Sequence, residues 1–331
     1  MREPPDLAAG EIVRALQREF GIRVAGLSFL PVGNDADSWA YRVEADQGPP
    51  RFLKVRSGTG VMPGAAVPAY LHRLGTPRVL APLPTRAGEP HLALGRFALA
   101  LFPMLDARTG AEAGLSSAQW RELGTALAQV HAMPPTPELL RLVGREMFRP
   151  SRRELLPDLE AALATADPAD PVAGRLAVCW RAERAVIDAL VDRADRLGAA
   201  LARSPAPAVL CHADLHTWNV LVDETGQLWI GDWDEAVLAP RERDLMFVVG
   251  GIGHGLVSPS DTASFLEGYG EITVDPTRLA YYRCAWAVQD IAAYGEQALL
   301  SPAAGEATRR AAVEGFEDLF APGNIVDLAG A

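Results

Sequence analysis

Residues Val209–Asp244 read VLCHADLHTWNVLVDETGQLWIGDWDEAVLAPRERD. His212, Asp214, His216, Asn219, Asp232, Asp234 and Asp244 crowd into this stretch. Between them lie two short β-type runs, Asn219–Val222 and Leu228–Ile230. Asp223-Glu224-Thr225-Gly226 joins the runs, with glycine where a turn calls for a positive φ. The spacing predicts a hairpin, with Asn219 just before its first strand and Asp232 just after its second. Two oxygen ligands then converge beside the loop that carries Asp214.

Asn219 follows Asp214 by five residues and Asp232 follows it by eighteen. Phosphoryl transfer uses this spacing. One loop carboxylate orients the attacking hydroxyl or receives its proton. An amide oxygen and a second carboxylate bind Mg²⁺ against nucleotide phosphates. Mg²⁺ takes hard oxygen ligands and few from protein, because phosphates and water complete its octahedron.

Upstream, periodicity predicts a helix over Ala8–Phe20 and strands over Val24–Leu30, Trp39–Glu44 and Phe52–Arg56. Lys54 lies inside the third strand, on the face opposite Leu53 and Val55. It is the cation expected to meet the α/β-phosphates of ATP. The turn Pro31–Ser38, with Asp35 and Ser38 in it, would cover them. A short helix is expected over Ala65–Leu74, strands over Val79–Leu83 and Leu92–Leu94, and a buried strand over Phe97–Phe102. After Pro103 the character changes. Ser116–His131 is amphipathic with a serine cap, and nearly everything to Ala202 reads as helical, with breaks at Pro150, Pro157 and Pro168–Pro171. Beyond the opening stretch, helices are expected over Arg241–Val249, Thr262–Tyr269, Pro276–Leu299 and Ala304–Phe320. A boundary near residue 104 therefore separates a nucleotide-binding lobe, 1–103, from a helical catalytic and substrate lobe, 104–331.

His212-Ala-Asp214-Leu-His216-Thr-Trp-Asn219-Val-Leu resembles the catalytic loop of the aminoglycoside phosphotransferase family, HxDxHxxN before an apolar strand. Ile230-Gly-Asp232-Trp233-Asp234 is similar to that family's metal-binding segment. Phe52–Arg56 looks like its nucleotide-lysine strand and Phe97–Pro103 like the strand entering its hinge. Pro240–Phe247 and Ala81–Thr85 look most like the spectinomycin phosphotransferase branch. The resemblance implies an α+β, bilobal protein-kinase-like fold, with a small antiparallel β-sheet N-lobe and a larger helical C-lobe. It implies Asp214 as catalytic base, with His212 ordering the loop, and Asn219 and Asp232 as Mg²⁺ ligands. Lys54 would hold ATP phosphates, and backbone groups near Pro103–Leu105 would meet the adenine. Asp234, Glu235 and Asp244 are candidate carboxylates for a cationic, hydroxyl-bearing substrate such as an aminoglycoside or aminocyclitol.

Two features depart from the family pattern. A kinase lysine is braced by a glutamate from the first-lobe helix, yet no Asp or Glu occurs between Ser57 and Gly88. Lys54 lacks that brace or takes an acid from elsewhere. Trp218 stands in the loop where many relatives carry a small residue.

The bulk composition sets limits. The 331 residues are 49% hydrophobic and 22% charged, which suits a globular chain with a large core. A net charge of −11 argues against nucleic-acid binding. Three scattered cysteines and no CxxC argue against a disulfide framework or zinc site and fit a reducing cytoplasm. Nothing reads as a signal peptide or membrane span. A monomer or weak dimer is expected. Blander readings exist for individual residues: Asp and Asn as turn residues, Lys54 as an edge charge, His212 and His216 as ligands of a metallohydrolase. Tyr281, Tyr282 and Trp286, at helical spacing, read as core. The Arg241–Asp244 cluster reads as a solvated helix start. A metabolite kinase (sugar, choline or a homoserine-like alcohol) and a nucleotide-binding pseudokinase are the competing functions.

Overall fold

The computed structural model describes residues 2–33, 35, 37–167, 169–204 and 206–330. Asn34 and Ala36 of the expected phosphate-covering turn, and Pro168 of the expected helix break, lie outside the described residues. The chain forms two compact units.

The first unit comprises Met1–Gly144, Val209–Leu238 and Ala263–Gly270. Its five-stranded antiparallel sheet runs in the order Val24–Leu30, Ser38–Ala45, Arg51–Ser57, Phe97–Pro103, Leu92–Leu94. The central strand alternates as its sequence dictates. Leu53 and Val55 are wholly buried on one face, so Lys54 and Arg56 share the other. Lys54 pairs with Ala40 on one side and Ala100 on the other. Helix Pro63–Arg73 places Met62 and Ala65 against Ala98, Ala100 and Phe102.

The strand expected over Val79–Leu83 is reduced to isolated bridges, Val79 to Ile230 and Leu83 to Leu101. Pro77, Pro82 and Pro84 bring no N–H groups to a ladder, so pairing cannot propagate. The expected hairpin is present as Val220–Asp223 against Leu228–Ile230, with Ala107–Thr109 as a third strand. Asn219 falls one residue earlier, at the end of a 3₁₀ turn.

Helix Ser117–His131 starts in a capping box between Ser116 and Gln119 and buries Trp120, Leu123, Leu127 and Val130. It meets the chain segment Ala263–Gly270 at two glycines. A Cβ on Gly124 would lie 2.2 Å from the Phe265 carbonyl oxygen, and one on Gly268 would lie 1.9 Å from that of Arg121. Backbone, unlike a flexible side chain, cannot step aside. We therefore expect Gly268→Ala to cost about 3 kcal/mol through overpacking. Gly174→Ala, where nothing lies within 4 Å, should instead stabilise by about 0.5–1 kcal/mol through helix propensity. Urea unfolding of both variants checks the contrast.

The second unit comprises Arg145–Ala208, Ala239–Thr262 and Glu271–Ala331. Its main helices are Pro171–Leu201, Pro276–Gly295 and Glu306–Leu319. Asp170 and Asp275 cap the first two by accepting from backbone N–H groups, each with proline at the next position. Trp180 stacks on Phe316 at 5.6 Å. Tyr281, Tyr282 and Trp286 are core residues, as their spacing predicts. Pro157 does not break a helix; it stands in the first turn of Leu156–Ala164, where its missing N–H is not needed.

The helix expected over Arg241–Val249 is confined to Glu242–Leu245. Its charges are not solvated: Glu242, Arg243 and Asp244 are all buried. Glu242 accepts from the Asp275 N–H, and the Arg243 guanidinium lies over the rings of Tyr282 and Trp286. Internal partners, rather than water, accommodate these groups. Among the described residues no helix is long and apolar enough to cross a membrane.

Candidate active site

The turn Asp223–Gly226 fixes the hairpin. The Asp223 carboxylate accepts from the N–H groups of Thr225 and Gln227, the Thr225 hydroxyl and the Trp229 indole. The Thr225 hydroxyl, then the Trp229 indole, lead in holding its pKa down to about 2. A carboxyl lowered on folding adds stability above its unfolded pKa of about 4, and that stability is lost as pH falls through the folded value. The stability gap between wild type and Asp223→Ala should therefore be constant from about pH 7 to about pH 5 and close between about pH 4 and about pH 2. Thermal melts across that range test it.

Asn219 emerges at the base of this hairpin. Its Nδ2 donates to both the backbone oxygen and Oδ2 of Asp214, each at 2.8 Å. With the amide nitrogen turned to two oxygens, Oδ1 is left as the atom that can bind a cation. The other Asp214 oxygen, Oδ1, lies 3.1 Å from His216 Nε2. The Trp218 ring stands edge-on to His216 at 5.4 Å and is 41% exposed.

His212 is wholly buried. Its Nε2 meets the Gly231 carbonyl at 2.7 Å, and its Nδ1 accepts from the Asp214 N–H at 3.2 Å. An acceptor at Nδ1 and a carbonyl at Nε2 place the ring hydrogen on Nε2. The ring lies against Trp233 at 4.6 Å. His212 therefore ties the Asp214 loop to the segment that carries Asp232. Gly231 N–H completes the tie by donating to the Asn219 carbonyl at 3.0 Å. Ala213 (φ 67°) and Asp232 (φ 54°) both adopt the left-handed region. For non-glycine residues this costs about 1 kcal/mol or more each, and such conformations cluster at functional sites.

Lys54 takes its acids from elsewhere. Its Nζ lies 2.8 Å from Asp232 Oδ1 and 2.6 Å from Asp234 Oδ2. Burial alone would push the ammonium pKa down, but Asp232 and Asp234 outweigh burial and hold it above the ordinary lysine range. Burial alone would raise Asp232; the charge of Lys54 outweighs it and holds the carboxyl low. Asp234 Oδ2 is shared with Arg56 Nη1 at 2.8 Å, and Arg56 reaches Asp35 at 3.5 Å. Asp35 Oδ1 accepts from the Asp37 N–H, and Ser38 opens the next strand opposite Arg56.

The expected residues thus fall into three groups, with Ser38, the register partner of Arg56, beside the first. Asp214, Asn219, His212, Asp232, Lys54, Asp234 and Asp35 are linked by the contacts above. Pro103 ends the strand beside the lysine strand, opposite Arg51, and Leu105 follows it, half-buried. Glu235 is exposed, and Asp244 belongs to the second unit and is wholly buried. Sequence reasoning missed Arg56. The signal was available, since Arg56 stands two residues from Lys54 on one strand and so on one face.

Residues 28–282 match the family model described as the phosphotransferase enzyme family. Protein StrN of Streptomyces griseus is 32% identical over 289 residues, covering 85% of this chain and 82% of that protein. The solved structure of spectinomycin phosphotransferase APH(9)-Ia with ADP and spectinomycin is similar at 29% identity, covering 99% of each chain, with a TM-score of 0.83. Ethanolamine kinase from Plasmodium vivax shares the fold, at 13% identity over 98% of this chain and 86% of that one, with a TM-score of 0.60. The α+β protein-kinase-like fold expected from the motifs is the fold of this chain.

Proposed function

Because the chain belongs to the phosphotransferase enzyme family, we propose that it is an ATP-dependent O-phosphotransferase whose acceptor is an aminocyclitol or aminoglycoside such as spectinomycin. The observation that carries this reading is the Asp214–Asn219 pair joined through His212 and Gly231 to Asp232 and Lys54. The full-length likeness to a spectinomycin phosphotransferase supports the acceptor class.

In this reading Asp214 orients the acceptor hydroxyl and receives its proton as the oxygen attacks the γ-phosphorus. Asn219 Nδ2 holds one carboxylate oxygen in place, and the other, beside His216 Nε2, is the one left to take the acceptor's proton. Lys54 binds the nucleotide phosphates, and Asp35 and Ser38 lie in the turn over them. Backbone groups from Pro103 to Leu105 meet the adenine. Asn219 Oδ1 and the Asp232 carboxylate form a hard-oxygen donor pair suited to Mg²⁺. Mg²⁺ there would neutralise charge on the phosphates. Glu235, which is exposed, is the candidate carboxylate for a cationic acceptor, whereas Asp234 is engaged by Lys54 and Arg56 and Asp244 is wholly buried.

The test is a mass-spectrometric screen of purified protein with ATP and Mg²⁺ against antibiotic and metabolite panels. Gain of one phosphate on spectinomycin or a related aminocyclitol is expected. Gain only on a sugar, choline or a small alcohol would replace the acceptor class. No phosphorylation of any acceptor would sink the reading.

A further inference from the structure

In the protein-kinase pattern a helix glutamate holds the nucleotide lysine. Here helix Pro63–Arg73 has no acid in its first turn, and no acid occurs between Ser57 and Gly88. A carboxylate nevertheless occupies the space between that helix and the lysine. Asp234 Oδ2 holds Lys54 and Arg56 at 2.6 Å and 2.8 Å. Asp234 Oδ1 points the other way, toward Gly64, where a Cβ would lie only 1.9 Å from it. That oxygen is buried and has no hydrogen-bond partner among the described residues, and only 9% of the side chain is exposed.

A lone carboxylate oxygen buried without a hydrogen bond is costly. Its position against the first turn of Pro63–Arg73 puts it at the positive end of the helix, which favours an anion. Glycine at position 64 is the residue type that leaves room there. Its φ is not in the left-handed region, so the conformation would accept any residue; the absence of a side chain serves the neighbour.

We propose that Asp234 is the positioning residue for Lys54 and Arg56, replacing the missing helix acid, and that Gly64 is the seat that admits it. The helix contributes its N-terminal turn instead of a side chain. Arg56 becomes a second cation beside the phosphates, held at the same anchor. This inference rests on the nucleotide-phosphotransferase reading.

ADP titrated by calorimetry in EDTA separates a lysine brace from a metal ligand, because no metal is present to be bound. Asp234→Asn keeps the side-chain volume and Gly64→Ala fills the seat. Each should weaken metal-free ADP binding about tenfold, with thermal melting confirming that both fold. In Asp234→Ala the seat is empty, so adding Gly64→Ala should change ADP affinity no further. Steady-state assays should show the nucleotide KM raised more than kcat is lowered. Unchanged metal-free affinity in Asp234→Asn would overturn the inference, as would an equal cost of Gly64→Ala in both backgrounds. A wild type that binds ADP only when Mg²⁺ is restored would overturn this inference alone, and one that binds no ADP in EDTA or in Mg²⁺ would overturn the phosphotransferase reading with it.

Discussion

Asp214→Asn is expected to lower turnover by about 10³-fold while leaving nucleotide affinity within about twofold. The substitution keeps shape and removes one thing, a carboxylate that can accept a proton. The neighbours make the test clean. Asn219 Nδ2 can still donate to the amide oxygen introduced at position 214, so the loop should keep its geometry. Lys54 draws its acids from Asp232 and Asp234, and neither is altered. Nucleotide binding should therefore survive. Acceptor-dependent phosphorylation and ADP titration, measured on the same preparation, check both halves. Turnover within about tenfold of wild type would remove Asp214 from the role of base.

His212→Ala should cost about 3 kcal/mol of stability and reduce turnover by about 10²-fold, although the side chain touches no reacting group in the proposed mechanism. The deletion leaves the Gly231 carbonyl without its donor at 2.7 Å, removes the acceptor for the Asp214 N–H, and opens a cavity against Trp233. Ala213 would then hold its left-handed conformation without the bond that it serves. His212→Asn, which can donate but cannot span both partners, should fall between wild type and alanine. A loss of turnover with no change in unfolding free energy would point to a chemical role for the imidazole instead.

Much of this site was legible in the chain because its determinants are local. The Asp214–Asn219 spacing, the Asp223–Gly226 turn and the alternation around Lys54 each follow from bonds made within a few residues. Those features stand where the pattern puts them, within a residue or two. What was illegible depended on distant partners. The missing helix acid could be noticed in the sequence, but nothing local to Lys54 says that Asp234 lies beside it. Pattern also failed where burial reversed the ordinary meaning of charge. Glu242, Arg243 and Asp244 look like a solvated helix start, yet aromatic rings and a backbone N–H from far along the chain enclose that segment. Val79–Leu83 has strand composition, but its prolines limit it to single bridges.

The grouping of Lys54 and Arg56 with Asp232 and Asp234 also has a thermodynamic consequence. Its two positive charges are matched by Asp232 and Asp234 and exceeded by one once Asp35, at 3.5 Å from Arg56, is included, so the cluster carries no excess positive charge. Such a cluster projects little field beyond the Debye length, about 8 Å at physiological ionic strength, and the chain around it carries a net −11. An anionic nucleotide is thus not drawn in from afar. Its binding is an exchange of ion-pair partners at short range, and added salt, which screens the chain's negative charge, should speed its association rather than slow it.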